Sequence, residues 1–247
     1  MSFFKKNIVK NSINSESLPA HVAVIMDGNG RWAKKRGLSR NAGHQEGART
    51  VRKIVECAYD IGIKYITMFA FSSENWSRPK EEVDELMELC LDYLKDAENE
   101  TSDKDIRVRV IGNKEGLSQE IKDQIQKIEE RTINKKRMTM VIALNYGGRQ
   151  DILQAAAKIA EDVVIGKLKQ NEITESELDK RLYTDGIPDP DLLIRTSGEM
   201  RISNFLIWQC TYTEFYFPTV LWPDFTEKHF KEAIIDYQKR SRRFGGL

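Results

Sequence analysis

The sequence has little of what usually marks a specialised chain. Its 247 residues include only three cysteines, six prolines and three histidines. Cys57, Cys90 and Cys210 stand apart, odd in number and without a C-x-x-C spacing, which excludes a disulfide framework, a zinc ribbon or a dithiol redox site. Set in apolar patterns, they read as small buried hydrophobes in a reducing compartment. Neither charge sign is in excess: 39 Lys and Arg balance 38 Asp and Glu, giving a formal charge of +1. The whole chain therefore sets up no field for a polyanion, and electrostatic function has to come from local clustering. The longest strongly apolar runs, such as 65–71, fall far short of the roughly 20 residues that span a bilayer. The segment MSFFKKNIVKNSINSESLPA lacks the apolar stretch of a secretory signal, so a cytoplasmic location is expected. Internal repeats, low-complexity segments and Pro/Gly/Ser-rich linkers are missing too, which argues for one domain.

With 40% apolar and 31% charged residues, the remainder is an ordinary globular composition. Residues 1–18, rich in Asn, Ser and Lys and without periodicity, are expected to form a flexible tail, with the domain occupying 19–247. Short apolar runs predict strands at 22–26, 65–71, 107–111, 138–144, 192–195 and 213–217. Helical spacing predicts helices between them: one carrying Ala48, Val51, Ile54, Val55 and Ala58 and stopping at Gly62, one carrying Val83, Leu86, Met87, Cys90 and Leu94, and others over 118–134, 150–166, 174–183 and 226–242. This alternation predicts a single α/β domain, a mostly parallel central sheet covered by helices.

Ligands of parallel sheets bind beyond the carboxyl ends of the strands, so the residues after each run are the ones to inspect. The first strand delivers Asp27-Gly28-Asn29-Gly30-Arg31-Trp32. From Gly28 to Gln45 the chain carries Arg31, Lys34, Lys35, Arg36, Arg40 and His44 without one carboxylate, a local anion-binding field. A solvated turn and helix face is the common fate of either feature alone; their coincidence favours function. The spacing fits neither a Walker loop nor G-x-G-x-x-G, so no nucleotide is implied. The second strand leads into Ser72-Ser73-Glu74-Asn75-Trp76-Ser77-Arg78-Pro79, where helix capping explains the polar residues but not Trp76 or Arg78. A later strand supplies Arg195 and Arg201 with hydroxyls between them, a second cradle suited to phosphate oxygens. Glu214, among strand-forming aromatics, is as well explained by an exposed strand as by function. If it meets Asp27, the two carboxylates and diphosphate oxygens would describe a Mg²⁺ site. His21 and His229 read as structural.

Long ordered blocks carry a resemblance to the cis-prenyltransferases, bacterial undecaprenyl diphosphate synthases above all. They are HVAVIMDGNGRWA at 21–33, GHQEGA at 43–48, FAFSSENWSRP at 69–79, NYGGRQDI at 145–152, DLLIRTSGEMRISNFLIWQ at 191–209 and TEFYFPTVLWPDF at 213–225. The resemblance implies a Mg²⁺-dependent enzyme that repeatedly condenses isopentenyl diphosphate onto an allylic diphosphate such as farnesyl diphosphate, each new double bond being cis. The product would be a long polyprenyl diphosphate for cell-wall glycan carrier lipid, handed to the membrane. Position by position, it implies the allylic diphosphate on Gly28, Asn29, Gly30 and Arg31, with Trp32, Arg40 and His44 around it. It implies isopentenyl diphosphate at Arg195, Arg201, Ile202 and Ser203, and magnesium at Asp27 and Glu214. Asn75 takes the position assigned to proton abstraction, and Ser72, Ser73, Glu74, Trp76 and Arg78 that of a mobile substrate loop. It further implies a homodimer whose terminal Arg243 and Gly245 reach the partner's site, and an apolar product tunnel, for which Ala70, Met87 and Met138 are candidate linings. Two other readings are a non-catalytic partner subunit on the same fold and a synthase of shorter chains. The first is disfavoured because Asp27 and both arginine cradles are present. A nucleic-acid partner is disfavoured by the lack of an aromatic ladder beside the basic stretch.

Overall fold

Strands without a polar face predict a sheet covered on both sides, and the computed structural model, which describes residues 13–100 and 104–241 with the side chains of 98–100 excepted, has one. Its strands are β1 (His21–Ile25), β2 (Tyr65–Ser72), β3 (Ile106–Ile111), β4 (Met138–Tyr146), β5 (Leu192–Arg195) and β6 (Glu214–Tyr216). They lie in the order β3-β4-β2-β1-β5-β6, and every pairing is parallel. The helices are α1 (Asn29–Lys35), α2 (Arg40–Ile61), α3 (Lys80–Glu100), α4 (Gln119–Thr132), α5 (Gly148–Val164), α6 (Glu175–Asp179) and α7 (Glu227–Gln238).

All five residues of β1 are buried, and they alternate between two cores. Val22 and Val24 join the larger one, with Val51, Ile54, Val55 and Ala58 of α2 and apolar residues of α3, α4 and α7. Ala23 and Ile25 face the smaller one, with Val141, Ala143, Leu193, Phe205 and Leu206. The spacing of the α2 residues is what keeps one helical face on the sheet for its whole length. Ser39 starts α2 by accepting from the Ala42 N–H at 3.2 Å, and Gly62, at φ +104°, ends it in a conformation that a side chain would strain.

The second face departs from the expectation of helical cover. The turn-rich stretch from Tyr183 to Cys210 lies on it instead, contributing Tyr183, Ile187, Phe205, Leu206 and Cys210. The helix expected over 174–183 spans only α6; beyond it the Tyr183 N–H donates to the Asp151 carboxylate at 2.9 Å. Asp151 is fully buried and also accepts from the Tyr146 hydroxyl at 3.0 Å. Burial pushes its carboxyl above the ordinary range, although these hydrogen bonds pull the other way. The end of the expected tail is also tied down: Asn14 exchanges two backbone-to-amide hydrogen bonds with Gln238 of α7, at 3.2 and 2.6 Å. Ile13 and Leu18 pack on the core. The last helix ends at Gln238, and Arg243 and Gly245 lie outside the described residues.

His21 is structural. It opens β1, where the Pro188 carbonyl can only accept, so Nδ1 carries the proton and donates at 2.6 Å, while Nε2 accepts from the Thr67 hydroxyl at 2.7 Å. Burial pushes its pKa from 6.5 to about 4. An unfolded histidine binds a proton near pH 6.5 and this one only near 4, so the stability it contributes is full above 6.5 and is lost as pH falls through that window. At ~1.4 kcal/mol per pH unit, about 3 kcal/mol should disappear. Urea unfolding from pH 7 to 4 checks this. His21→Gln should be less stable at pH 7 and lose less on acidification, and parallel slopes for the two proteins would contradict the assignment.

Candidate active site

The carboxyl ends of β1, β5 and β2 converge, because β1 lies between the other two with Ile25 level with both Phe69 and Arg195. Beyond those ends lies a cleft with three lobes. The first, about 1220 Å³ of empty space including its open mouth, is lined by residues 27–31, Lys34, Arg40, His44 and Arg78. The second, about 950 Å³, is lined by Asp27, Ser72, Asn75, Arg78, Arg195, Arg201 and Ser203. The third is apolar and runs between α2, α3 and the sheet; of its roughly 660 Å³ of empty space, the centre of a water molecule can reach only about 80 Å³. Met26, Asn29 and His44 border all three.

Asp27 is the electrostatic centre. Its carboxylate accepts from Arg195 at 2.8 Å and from Arg31 at 2.9 Å. Burial would raise its pKa, yet the two guanidinium groups hold it below the ordinary carboxylate range. Arg195, only 4% exposed, also donates to the Arg201 carbonyl at 2.5 Å and the Ser203 hydroxyl at 2.7 Å. Two carboxylates that sequence reasoning left out complete the network. Glu199 accepts from Arg31 at 2.9 Å and from Arg201, joining the two arginine cradles. Glu82 accepts from Arg40 at 2.9 Å and Arg78 at 2.8 Å. The signal for Glu199 was its place between the two arginines of its own strand end; Glu82, in the first turn of α3, carried none.

Glycines let α1 and α2 approach closely. A Cβ at Gly43 would lie 2.3 Å from the Asn29 carbonyl oxygen, and one at Gly47 2.5 Å from Asn29 Oδ1. Packed this way, Asn29 keeps Oδ1 buried without a partner, and so does His44 its Nε2. Burial first, then Arg78 and Arg40, push the pKa of His44 to about 4, so it is neutral at pH 7. Asn29 Nδ2 faces His44 Nδ1 at 3.4 Å, which leaves the proton on the buried Nε2. The lobes can thus cradle two anions side by side and take an apolar chain between them.

Not every expected residue lines the cleft. Trp32 turns away, donating to Asp224 at 2.7 Å under the Arg36 guanidinium. Ile202 packs on the smaller core. Ser73, Glu74 and Trp76 hold the loop itself: the Trp76 indole donates to Asn145 at 2.8 Å, and Glu74 accepts from Asn204 at 2.6 Å. Asp27 and Glu214 are not brought together within the chain. Glu214 is level with Leu192, three residues and so ~10 Å behind Arg195, and it is held by Arg240 at 2.7 Å. The stripe on α3 divides: Leu86, Leu89, Cys90, Tyr93 and Leu94 line the apolar lobe together with Ala70, whereas Val83 is in the core. Met87 and Met138, expected to line it, do not; they pack in the core as well.

The comparisons with known proteins agree with this geometry. A family model described as putative undecaprenyl diphosphate synthase matches residues 25–245. The chain is 54% identical over 231 residues to the isoprenyl transferase of Thermotoga maritima, covering 93% of this chain and 98% of that one. It is 49% identical over 243 residues to the ditrans,polycis-undecaprenyl-diphosphate synthase ((2E,6E)-farnesyl-diphosphate specific) of Micrococcus luteus, covering 98% of each. The crystal structure of lavandulyl diphosphate synthase from Lavandula x intermedia in complex with dimethylallyl diphosphate superposes with a TM-score of 0.91 at 41% identity, covering 94% of this chain and 100% of that one. With the parallel sheet, the two arginine cradles and the apolar lobe, these matches make the chain a member of the undecaprenyl diphosphate synthase family, the cis-prenyltransferases.

Proposed function

We propose that the protein condenses isopentenyl diphosphate repeatedly onto an allylic diphosphate, with farnesyl diphosphate as primer, and builds a long cis-polyprenyl diphosphate. The observation that carries this reading is the meeting of two cationic lobes and one narrow apolar lobe at Met26, Asn29 and His44. Two diphosphates and a growing hydrocarbon need such a junction. The farnesyl specificity printed for the Micrococcus luteus relative and the dimethylallyl diphosphate in the lavender structure support an allylic primer.

In this reading the allylic diphosphate takes the lobe of Gly28, Gly30, Arg31, Arg40 and His44, and isopentenyl diphosphate that of Arg195, Arg201 and Ser203. The allylic C–O bond breaks and its electron pair leaves with pyrophosphate. The π electrons of isopentenyl diphosphate form the new C–C bond, and a proton is lost from C2. Arg31 and Arg40 are already fixed where the negative charge grows, so little reorganisation is needed. Asn75 accepts the Ser72 N–H through Oδ1 at 3.0 Å, so its free function is that of an N–H donor. An amide so held orients a diphosphate and does not take a proton, and the acceptor is an oxygen of the departing pyrophosphate.

Asp27 fits magnesium. No group of three or more potential ligands exists among the described residues, and Mg²⁺ characteristically binds one or two carboxylates and completes its shell with phosphate oxygens and water. When bound it would offset charge on the departing diphosphate. Glu214 could contribute only from a second subunit and only by leaving Arg240. A homodimer is part of this proposal, with Arg243 and Gly245 completing the partner's site. So are a cytoplasmic location, delivery of product to the membrane and a role for that product as precursor of glycan carrier lipid. No described helix is long and apolar enough to cross a membrane.

Incubation with labelled isopentenyl diphosphate, farnesyl diphosphate and Mg²⁺, followed by sizing of the products, tests the reading; no elongation would sink it. Asp27→Ala should lower kcat by about 10²–10³, the scale of a lost transition-state electrostatic group, while its far-UV circular dichroism stays that of the wild type. The apolar lobe makes a separate prediction. Cys90→Trp should fill the space beside α3 and shorten the product while the primer binds as before, and an unchanged product length would remove Cys90 from the path of the chain. For the subunit exchange, deletion of 243–247 and Asp27→Ala should each be inactive alone. Mixed, they should regain activity, because one site then has both an intact Asp27 and a donated tail. Mixtures as dead as their parents would argue against an arm acting in trans.

A further inference from the structure

One segment ties the second cationic lobe to the loop that carries Asn75, and it is not among the residues considered so far as ligand contacts. Asn204 follows Ser203 directly, in a stretch where Ser203, Asn204 and Leu206 all have positive φ, +47°, +61° and +46°. Left-handed backbone is tolerated by asparagine better than by most residues, so position 204 is a place where the backbone already favours Asn. Its side chain then joins its own turn to two other elements. Nδ2 donates to Glu74 Oε1 at 2.6 Å and to Gln150 Oε1 at 3.1 Å, and Oδ1 accepts the Arg149 N–H at 2.9 Å. Its carbonyl accepts the Gly148 N–H at 2.6 Å.

The junction is tight. A Cβ at Gly147 would lie 2.3 Å from Gln150 Oε1, 2.4 Å from Ser73 Oγ and 2.7 Å from Asn204 Nδ2, so the loop, the start of α5 and the Ser203 turn close on a position where only glycine fits. Asn145, also left-handed at φ +49°, holds the other end of the loop by accepting from Trp76. Of these two asparagines, Asn204 adjoins the diphosphate lobe: Ser203, one residue away, accepts from Arg195 at 2.7 Å.

We propose that Asn204 is a positioning residue that couples the Arg195–Arg201–Ser203 lobe to the seat of the 72–78 loop through its hydrogen bonds to Glu74 and to the start of α5. This deepens the reading of that lobe as the isopentenyl diphosphate site and rests on it. A diphosphate that draws on Ser203 moves a turn whose next side chain grips the loop, so the lobe and Asn75 are set together. The same loop reaches the allylic lobe only through Arg78, four residues beyond Glu74.

A donor–acceptor exchange tests the coupling. Asn204→Ala should raise the KM for isopentenyl diphosphate and lower kcat, together costing about ten-fold or more in kcat/KM, the scale of one hydrogen bond to a charged group. The Kd of farnesyl diphosphate and the melting temperature should stay near wild type. Asn204→Asp should be at least as damaging, because it sets a carboxylate against Glu74. Combined with Glu74→Gln it should cost little relative to Glu74→Gln alone: the new carboxylate still accepts from Arg149, and the new amide donates to it. Equal losses from Asn204→Asp in both backgrounds, or an Asn204→Ala enzyme with wild-type kcat and KM, would overturn the proposal. A binding readout separates its failure from failure of the reaction itself. Titration with inorganic pyrophosphate should change tryptophan fluorescence in the wild type, and the change should vanish in Asn204→Ala and in Trp76→Phe. A response that persists in Asn204→Ala overturns the coupling whether or not the protein elongates a primer.

Discussion

The pair between Asp27 and Arg195 is the interaction on which the rest of the site depends. The two residues follow adjacent parallel strands, with Ile25 beside Arg195, so the sheet register itself brings a carboxylate and a guanidinium to 2.8 Å. A guanidinium buried to 4% exposure is tolerable only with partners, and removing one partner of such a pair typically costs about 3–5 kcal/mol. Arg195 uses its other donors to fold the 201–203 turn around itself, while its Nε stays buried and unpartnered. Anything that draws Asp27 away therefore leaves a strong, fixed demand for another anion at the same place. In the proposed reaction a diphosphate would meet that demand, so a single ion pair can both hold the cleft together and favour an anionic ligand.

The same logic extends outward through Glu199 and Glu82. Each carboxylate is shared by two arginines, Arg31 and Arg201 in one case, Arg40 and Arg78 in the other. Six charges thus stand in two short bridges that keep long side chains near the cleft before any substrate arrives. Exposed pairs of this kind contribute little to stability, roughly 0–1 kcal/mol each. In the proposed reaction their use would be preorganisation: the cations are held beside the cleft where phosphate oxygens would bind, and a carboxylate at its rim is readily displaced.

The sheet was legible in the sequence because its inner strands are largely buried on both faces. Runs such as 22–26 and 192–195 have no polar alternation, and every strand centre was found within a residue or two. The second face was not legible, since Phe205, Leu206 and Cys210 cover it from turns with left-handed backbone and not from a periodic helix. At the site, the glycines and arginines could be read because each strand end concentrates them. Direction could not: Trp32 lies just beyond the end of β1, yet Asp224, far along the chain, turns it elsewhere, and Glu214 opens β6 at the opposite end of the strand, where Arg240 holds it. Asn204 was invisible for the same reason, as its role arises from three segments that meet only in the fold.

The apolar lobe sets the direction of the proposed reaction. Each condensation adds five carbons, and burying them at about 0.8 kcal/mol per methylene-sized group favours movement of the tail inward by about 4 kcal/mol. The polar end is meanwhile held at the cleft by arginines that cannot follow it. Elongation therefore draws the chain past Ala70, Leu86 and Cys90, and the same burial that stabilises the growing product resists its release. The lobe is narrow, so its walls have to part as the chain advances, and α3 supplies five of the sixteen residues lining it. Packing on α3 is then the physical limit on how far the tail can go. Extension stops where the cost of parting that wall matches the gain from burying one more unit.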